Sequence, residues 1–344
     1  MSQVVVITGA SAGVGRATAV EFARRGCAVA LIARNEERLD RAAIEVRARG
    51  GRALPIVADV ADYAALDTAA SRVEQEFGPI DVWVNNAMAT IFAPVHSITP
   101  EEFKRATEVT YLGQVHGTMV ALGHMRARNS GTIVNVGSAL AYRAIPLQSA
   151  YCGAKHAVRG FTDSLRSELM HEGLKIHLTM VHLPAINTPQ FDWALNRMPQ
   201  RPQPVPPIFQ PEVAARAIVF AAHHRRREVW VGMPTVKTIL ANRVAPGLLD
   251  RVLARIGYSG QLTDTPKPPG APANLFQTVD GAYGAHGHFD QNARQMSWEF
   301  FLSRNRGAVF GGLAAVGLAY AAATIFGPSQ MPRQIRSLLH SRRR

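Results

Sequence analysis

Cysteine is almost missing from this chain. Only Cys27 and Cys152 occur among 344 residues, far apart in sequence. That scarcity excludes a disulfide framework or a cysteine metal site and fits a reducing compartment. Acidic residues are also in short supply, 25 against 38 lysines and arginines, for a formal charge of +13. The excess does not read as a nucleic-acid surface. The arginines are scattered singly on helical segments, apart from His223 to Arg227 and Arg342 to Arg344, and no aromatic interleaving or binding motif goes with them. No basic and apolar leader stands ahead of the strand-like Val4 to Ile7, so the catalytic part is expected to be cytoplasmic. No metal is expected either. His286-Gly287-His288 lacks a third ligand at sensible spacing and reads as a polar loop.

What is present is an alternation. Short apolar runs at Val4 to Thr8, Ala28 to Ala33, Ala53 to Ala58, Val82 to Asn85, Gly131 to Val136, Ile176 to Val181 and Val229 to Val231 read as strands buried on both faces. Between them Gly13 to Arg25, Glu36 to Ala48, Tyr63 to Phe77, Pro100 to Arg128, Ala150 to His171 and Glu212 to Ala222 have helical period. Val236 to Ile256 continues as helix, broken at Pro246-Gly247. The fold class is therefore α/β: a doubly wound, Rossmann-type parallel sheet of about seven strands with helices on both faces, followed by a C-terminal linker and an apolar helix. The expected organisation is a catalytic domain over 1–260, a linker or loosely packed arm over 261–306, an apolar helix over 307–327 and a basic tail over 328–344.

Three groups of residues carry chemistry. The first is Thr8-Gly9-Ala10-Ser11-Ala12-Gly13-Val14-Gly15, where a glycine loop follows a strand and opens a helix, so that backbone N–H groups can approach a pyrophosphate at the helix N-terminus. The second is Ala33-Arg34-Asn35 at the end of the second strand. An arginine there, with no carboxylate, favours a ribose 2′-phosphate and hence NADP(H), and Arg16 stands close by in the first helix. The third is Tyr151 and Lys155, four apart on one helix face, with Ser138 at the end of a neighbouring strand. An ammonium beside a phenol lowers its pKa, letting Tyr151 exchange a proton with a substrate oxygen that Ser138 also bonds.

With these motifs in this order, the chain resembles the short-chain dehydrogenase/reductase family over about residues 1–235. The resemblance implies that Asp59 and Val60 flank the adenine, that Asn86 and Ala87 support the cofactor cleft, that Lys155 also bonds the nicotinamide ribose, and that Thr188 holds the carboxamide. A homo-oligomer, dimer or tetramer, is implied as well. Three departures stand out. Met88 follows Asn85-Asn86-Ala87 where the family has glycine, Thr110 falls where a helix asparagine usually completes the proton relay, and Leu183-Pro184 replaces Pro-Gly. A threonine hydroxyl cannot offer an amide carbonyl, so the relay is expected to be rerouted.

The expected function is hydride transfer between NADP(H) and a ketone, aldehyde or alcohol. Leu140, Tyr142, Ile145, Phe191 and Trp193 are the expected substrate-facing residues, and their character predicts an apolar, lipid-like molecule. The alternative is a catalytically silent dinucleotide-binding sensor or scaffold. At the C-terminus, Gly307 to Gly327 is 21 residues without a charge, bordered by arginines. That length just spans a hydrocarbon core of about 30 Å, which predicts a transmembrane or membrane-associated helix, although 12 of the 21 residues are Gly or Ala.

Overall fold

The computed structural model describes residues 2–326. Seven strands form one parallel sheet: β1 (Val4–Thr8), β2 (Ala28–Ala33), β3 (Arg52–Val57), β4 (Val82–Asn85), β5 (Thr132–Ser138), β6 (His177–Leu183) and β7 (Glu228–Trp230). Their order across the sheet is β7-β6-β5-β4-β1-β2-β3. The chain runs outward from β1 in one direction and then, through β4, in the other. A crevice consequently opens beyond the carboxyl ends of β1 and β4, where ligands bind in sheets of this kind. Every residue of β1 and β2 is buried, as their unbroken apolar runs require. Pro55 sits in β3, an edge strand with mixed exposure, where a missing N–H is tolerated.

Helices α1 (Gly13–Ala23), α2 (Glu36–Ala48), α3 (Tyr63–Phe77), α4 (Pro100–Thr107), α5 (Gly113–Arg126), α6 (Ser149–His171) and α7 (Pro211–His223) cover the sheet. The single helix read over Pro100 to Arg128 is interrupted by a π-helical turn, Glu108–Leu112. Buried Thr110 lies in that turn, its hydroxyl donating to Ala89 O at 2.8 Å and accepting from Ala89 N–H at 2.9 Å. Beyond the sheet, Met233–Val244 and Pro246–Ile256 form two helices meeting at the proline, as the Pro246-Gly247 break predicts.

The chain divides into two compact units, Met1–Ser297 and Trp298–Arg344. Residues 261–297, expected as a linker or loosely packed arm, lie within the first unit. The second unit begins with a helix, Trp298–Arg304, followed by another, Arg306–Phe326. Among the described residues no helix is long and apolar enough to cross a membrane, so the transmembrane expectation for 307–327 is corrected. The physical reason is the composition: glycine and alanine, 12 of the 21 residues, add length without much apolar surface. Gly327 and the basic tail lie outside the described residues.

Candidate functional site

The crevice encloses a cavity of about 510 Å³. Its floor is built by the loops after β1 and β4. Thr8 Oγ1 accepts the N–H groups of Asn86 and Ala87 at 3.0 and 3.1 Å, and Asn86 Nδ2 donates to Thr8 O at 3.0 Å. The two loops approach so closely that a Cβ on Gly9 would lie 2.8 Å from Ala87 Cα, and one on Gly15 would lie 2.2 Å from Gly9 O. Gly9 also has φ +66°, a conformation suited to glycine. Gly9, Ser11, Ala12, Gly13, Val14, Asn86 and Ala87 line the cavity, whereas Gly15 packs beneath the loop and does not. Such a loop, with bare backbone at a helix N-terminus, fits a pyrophosphate.

At one end of the cavity stand Arg34, Asn35, Arg38, Asp59 and Val60. Asn35 caps α2, its side chain accepting from Arg38 N–H at 2.9 Å, and this turn sets Arg34 and Arg38 side by side. Burial pushes both guanidinium groups below their ordinary pKa. Neither forms an ion pair among the described residues, and Arg38 Nε, on a residue only 5% exposed, has no hydrogen-bond partner. Asp59 instead pairs with Arg105, and Arg16 with Glu45 at 2.7 Å, so Arg16 is engaged away from the cleft. Arg34 donates to the carbonyls of Asn274, Leu275 and Phe276, the last at 3.0 Å. The arm is therefore not loose where it passes Arg34.

At the other end are Ser138, closing β5, and Tyr151 and Lys155 on α6, all lining the cavity. The Ser138 hydroxyl lies near enough to the Tyr151 phenol to lower its pKa, and Lys155 Nζ lies 5.6 Å from the Tyr151 ring centroid. Lys155 is 1% exposed and donates to Val136 O at 2.7 Å. Burial lowers its pKa to about 7. Burial likewise raises the Tyr151 phenol, opposed only by the Ser138 hydroxyl. Desolvation thus governs Tyr151, against the sequence expectation that the ammonium of Lys155 lowers its pKa. Thr110 does not join this group, since its one proton goes to Ala89 O. Gln114, one turn further on, does reach it. Its Nε2 donates to Val136 O at 3.1 Å, the acceptor Lys155 uses, and its buried Oε1 is unpartnered. Thr188 lines the cavity beside the glycine loop, its Cγ2 3.2 Å from where a Gly13 Cβ would be.

Of the expected substrate residues, Leu140, Ile145, Phe191 and Trp193 line the cavity. Trp193 stands by the arginines, its ring 5.1 Å from the Arg38 guanidinium. Tyr142 is a correction. It turns away from the cavity, donating its hydroxyl to Glu228 and meeting His182 and Trp230 edge-on at 5.0 and 6.2 Å. Residues that sequence reasoning missed include Arg38, Gln148 and Gln203, and Leu249, Val252 and Leu253 of the helix Pro246–Ile256. The apolar stripe of that helix was a readable signal. Arg38 was readable only as one more arginine on a helix rich in them.

The family model described as short chain dehydrogenase matches residues 3–197. The chain is 33% identical to an uncharacterised oxidoreductase of Bacillus subtilis, YxnA, over 93% of this chain and 90% of that protein. It is 29% identical to a fatty acyl-CoA reductase of Acinetobacter baylyi over 75% of this chain and 84% of that protein. Among solved structures, an alcohol dehydrogenase from the archaeon Thermococcus sibiricus, complexed with 5-hydroxy-NADP, is similar at 25% identity and a TM-score of 0.58, covering 67% of this chain and 96% of its own. A metagenomic short-chain oxidoreductase in complex with NADP is similar at 26% identity and a TM-score of 0.56, with 67% and 97% covered.

Proposed function

The chain belongs to the short-chain dehydrogenase/reductase family of oxidoreductases, and from that premise we propose that it uses NADP(H) to reduce the carbonyl of an apolar ketone or aldehyde, or to oxidise the matching alcohol. One observation carries the reading: a single cavity joins a glycine loop and two arginines to Ser138, Tyr151 and Lys155. A bound nicotinamide dinucleotide supplies or accepts the hydride. The side chains do the rest. Tyr151 gives its proton to the substrate oxygen in reduction and takes one back in oxidation. Ser138, beside Tyr151 in the same cavity, offers its hydroxyl to that oxygen and stabilises the charge that develops there. Lys155 has two N–H donors left after Val136 O, free for the nicotinamide ribose, and with those partners its charge becomes affordable and lowers the Tyr151 phenol.

Gly9 and Ser11 to Val14 would cradle the pyrophosphate, Asp59 and Val60 the adenine, and Thr188 the carboxamide, with Asn86 and Ala87 bracing the floor. Arg34 and Arg38 support NADP(H) over NAD(H), and the NADP complexes among similar structures agree with that choice. Leu140, Ile145, Phe191, Leu249 and Val252 favour an apolar substrate, in keeping with the likeness to a protein named a fatty acyl-CoA reductase. Assembly as a homo-oligomer is in keeping with the family. The test is Tyr151→Phe, which removes the transferable proton and little else. Turnover with a carbonyl substrate and NADPH should disappear while NADPH affinity stays near that of the unaltered protein. Activity within about tenfold of the original would remove Tyr151 from this role, since positioned acid catalysis contributes about 10²–10⁴.

A further inference from the structure

Arg34 and Arg38 are held in a state that begs an anion. Burying a charge is strongly unfavourable unless it is paired; Arg38 is buried and Arg34 partly so, and although Asp59 lies near Arg34 and Asp280 near Arg38, neither guanidinium forms an ion pair among the described residues. What holds them is a segment about 240 positions further along the chain. Carbonyls of Asn274, Leu275 and Phe276 accept from Arg34, Val279 O accepts from Arg38, and Leu275 O also accepts from Arg105 at 3.1 Å. Leu275 is 1% exposed and joins the core cluster that contains Val60 and Val109. Further on, Tyr283 O accepts from Arg16 at 3.0 Å, the Tyr283 ring meets Trp193 edge-on with centroids 4.5 Å apart, and Gly284 O accepts the Gly13 N–H at 3.1 Å. The segment runs from the arginines to the glycine loop, and Asn274 and Thr278 face into the cavity.

Resting on the dinucleotide reading above, we propose that residues 274–284 are a strap that completes the cofactor site: it walls the adenosine end, aims Arg34 and Arg38 at a 2′-phosphate, and parts each time a dinucleotide comes or goes. Carbonyl oxygens carry no net charge, so they orient a guanidinium without neutralising it, and the strap's one carboxylate, Asp280, lies near Arg38 without forming an ion pair with it. Each guanidinium has five N–H donors, and the strap takes only one side of Arg38. A phosphate carries about −1.5 to −2 charges at neutral pH and supplies what the strap leaves wanting. A ribose hydroxyl does not. The strap therefore closes more firmly over NADP(H) than over NAD(H), and selectivity belongs to the strap and the two arginines together.

Hydrogen exchange of the full chain, alone and with saturating NADPH or NADH, reads the strap directly. NADPH should slow exchange across 274–284 about tenfold more than NADH does. Two variants then test the consequence by stopped-flow displacement of bound NADPH: Tyr283→Ala, and replacement of 274–284 by a Gly/Ser segment of equal length. Because contacts of this kind act mostly on dissociation, both should release NADPH about tenfold faster or more, and the ratio of NADH to NADPH dissociation constants should shrink. If NADPH binds while exchange in 274–284 is unmoved and Tyr283→Ala releases it at the original rate, the strap is overturned and the function stands. If the unaltered chain binds neither dinucleotide, the proposed function falls and takes the strap with it.

Discussion

Arg38 stands one helical turn beyond Arg34, and of the two it has more donors unspent. Its Nε meets nothing, and its guanidinium lies between Trp193 and Tyr283, with ring centroids 5.1 and 5.9 Å away. Arg38→Met keeps the stem and removes the charge. One charge-assisted contact is worth about 1.5–3 kcal/mol, or roughly one to two decades of affinity. NADPH should weaken by that amount in an equilibrium titration and NADH should hardly change; equal losses would mean that Arg38 does not read the phosphate. Single residues were unevenly legible. Tyr151 and Lys155 could be read because a spacing of four fixes a shared helix face whatever surrounds it. Arg34 could be read because the end of β2 fixes its position. Tyr142 was misread because its ring direction is decided by Glu228, 86 positions away, which takes its hydroxyl. Thr110 was weighed as a relay group, yet its partner Ala89 lies across a loop that the sequence leaves undetermined.

Strand β6 carries an element-scale consequence. Its buried His182 has Nδ1 3.2 Å from Ser138 O and Nε2 3.7 Å from Glu228, bracing the end of β5 from behind. Burial lowers the pKa of His182, and the nearby Glu228 only partly opposes this. The folded-state pKa lies below the unfolded one. As pH falls below about 6.5, the unfolded chain takes a proton there and the folded chain does not, so stability is lost with acidification. His182→Gln keeps a donor for Ser138 O and removes the titration. Melting temperature measured from pH 7.5 down to 5 should fall less steeply in the variant, and parallel slopes would acquit His182. His177, whose pKa burial also lowers, remains in both proteins and cancels in the comparison. The strands were legible because burial on both faces demands unbroken apolar runs. The π-helical turn in the middle of the predicted Pro100 to Arg128 helix was not, since a shift in backbone bonding leaves the side-chain period almost unchanged.

At the scale of the whole molecule the question is where the catalytic unit ends. Pro, Gly and His without periodicity made residues beyond 260 look like a linker, whereas the structure carries the first unit through to Ser297. Composition could not reveal the difference, because the strap is held mainly through its backbone carbonyls, which every residue possesses. Among its side chains, Leu275 is buried in the core, and Asn274 and Tyr283 both meet Trp193. Two shortened chains separate the alternatives. One ending at Ser297 keeps the strap, and it should melt within a few degrees of the full chain and bind NADPH with similar affinity. One ending at Gly260 loses the burial of Leu275, worth roughly 2–5 kcal/mol, and strips carbonyl acceptors from Arg34, Arg38 and Arg105, each charge-assisted bond worth about 1.5–3 kcal/mol. At about 2–4 °C per kcal/mol for a unit of this size, its melting temperature should drop by roughly 10 °C or more, with NADPH binding weakened in step. Calorimetry and a cofactor titration on the pair decide it: equal melting and equal affinity would mean that the unit is complete by residue 260 and that 261–297 is a passenger.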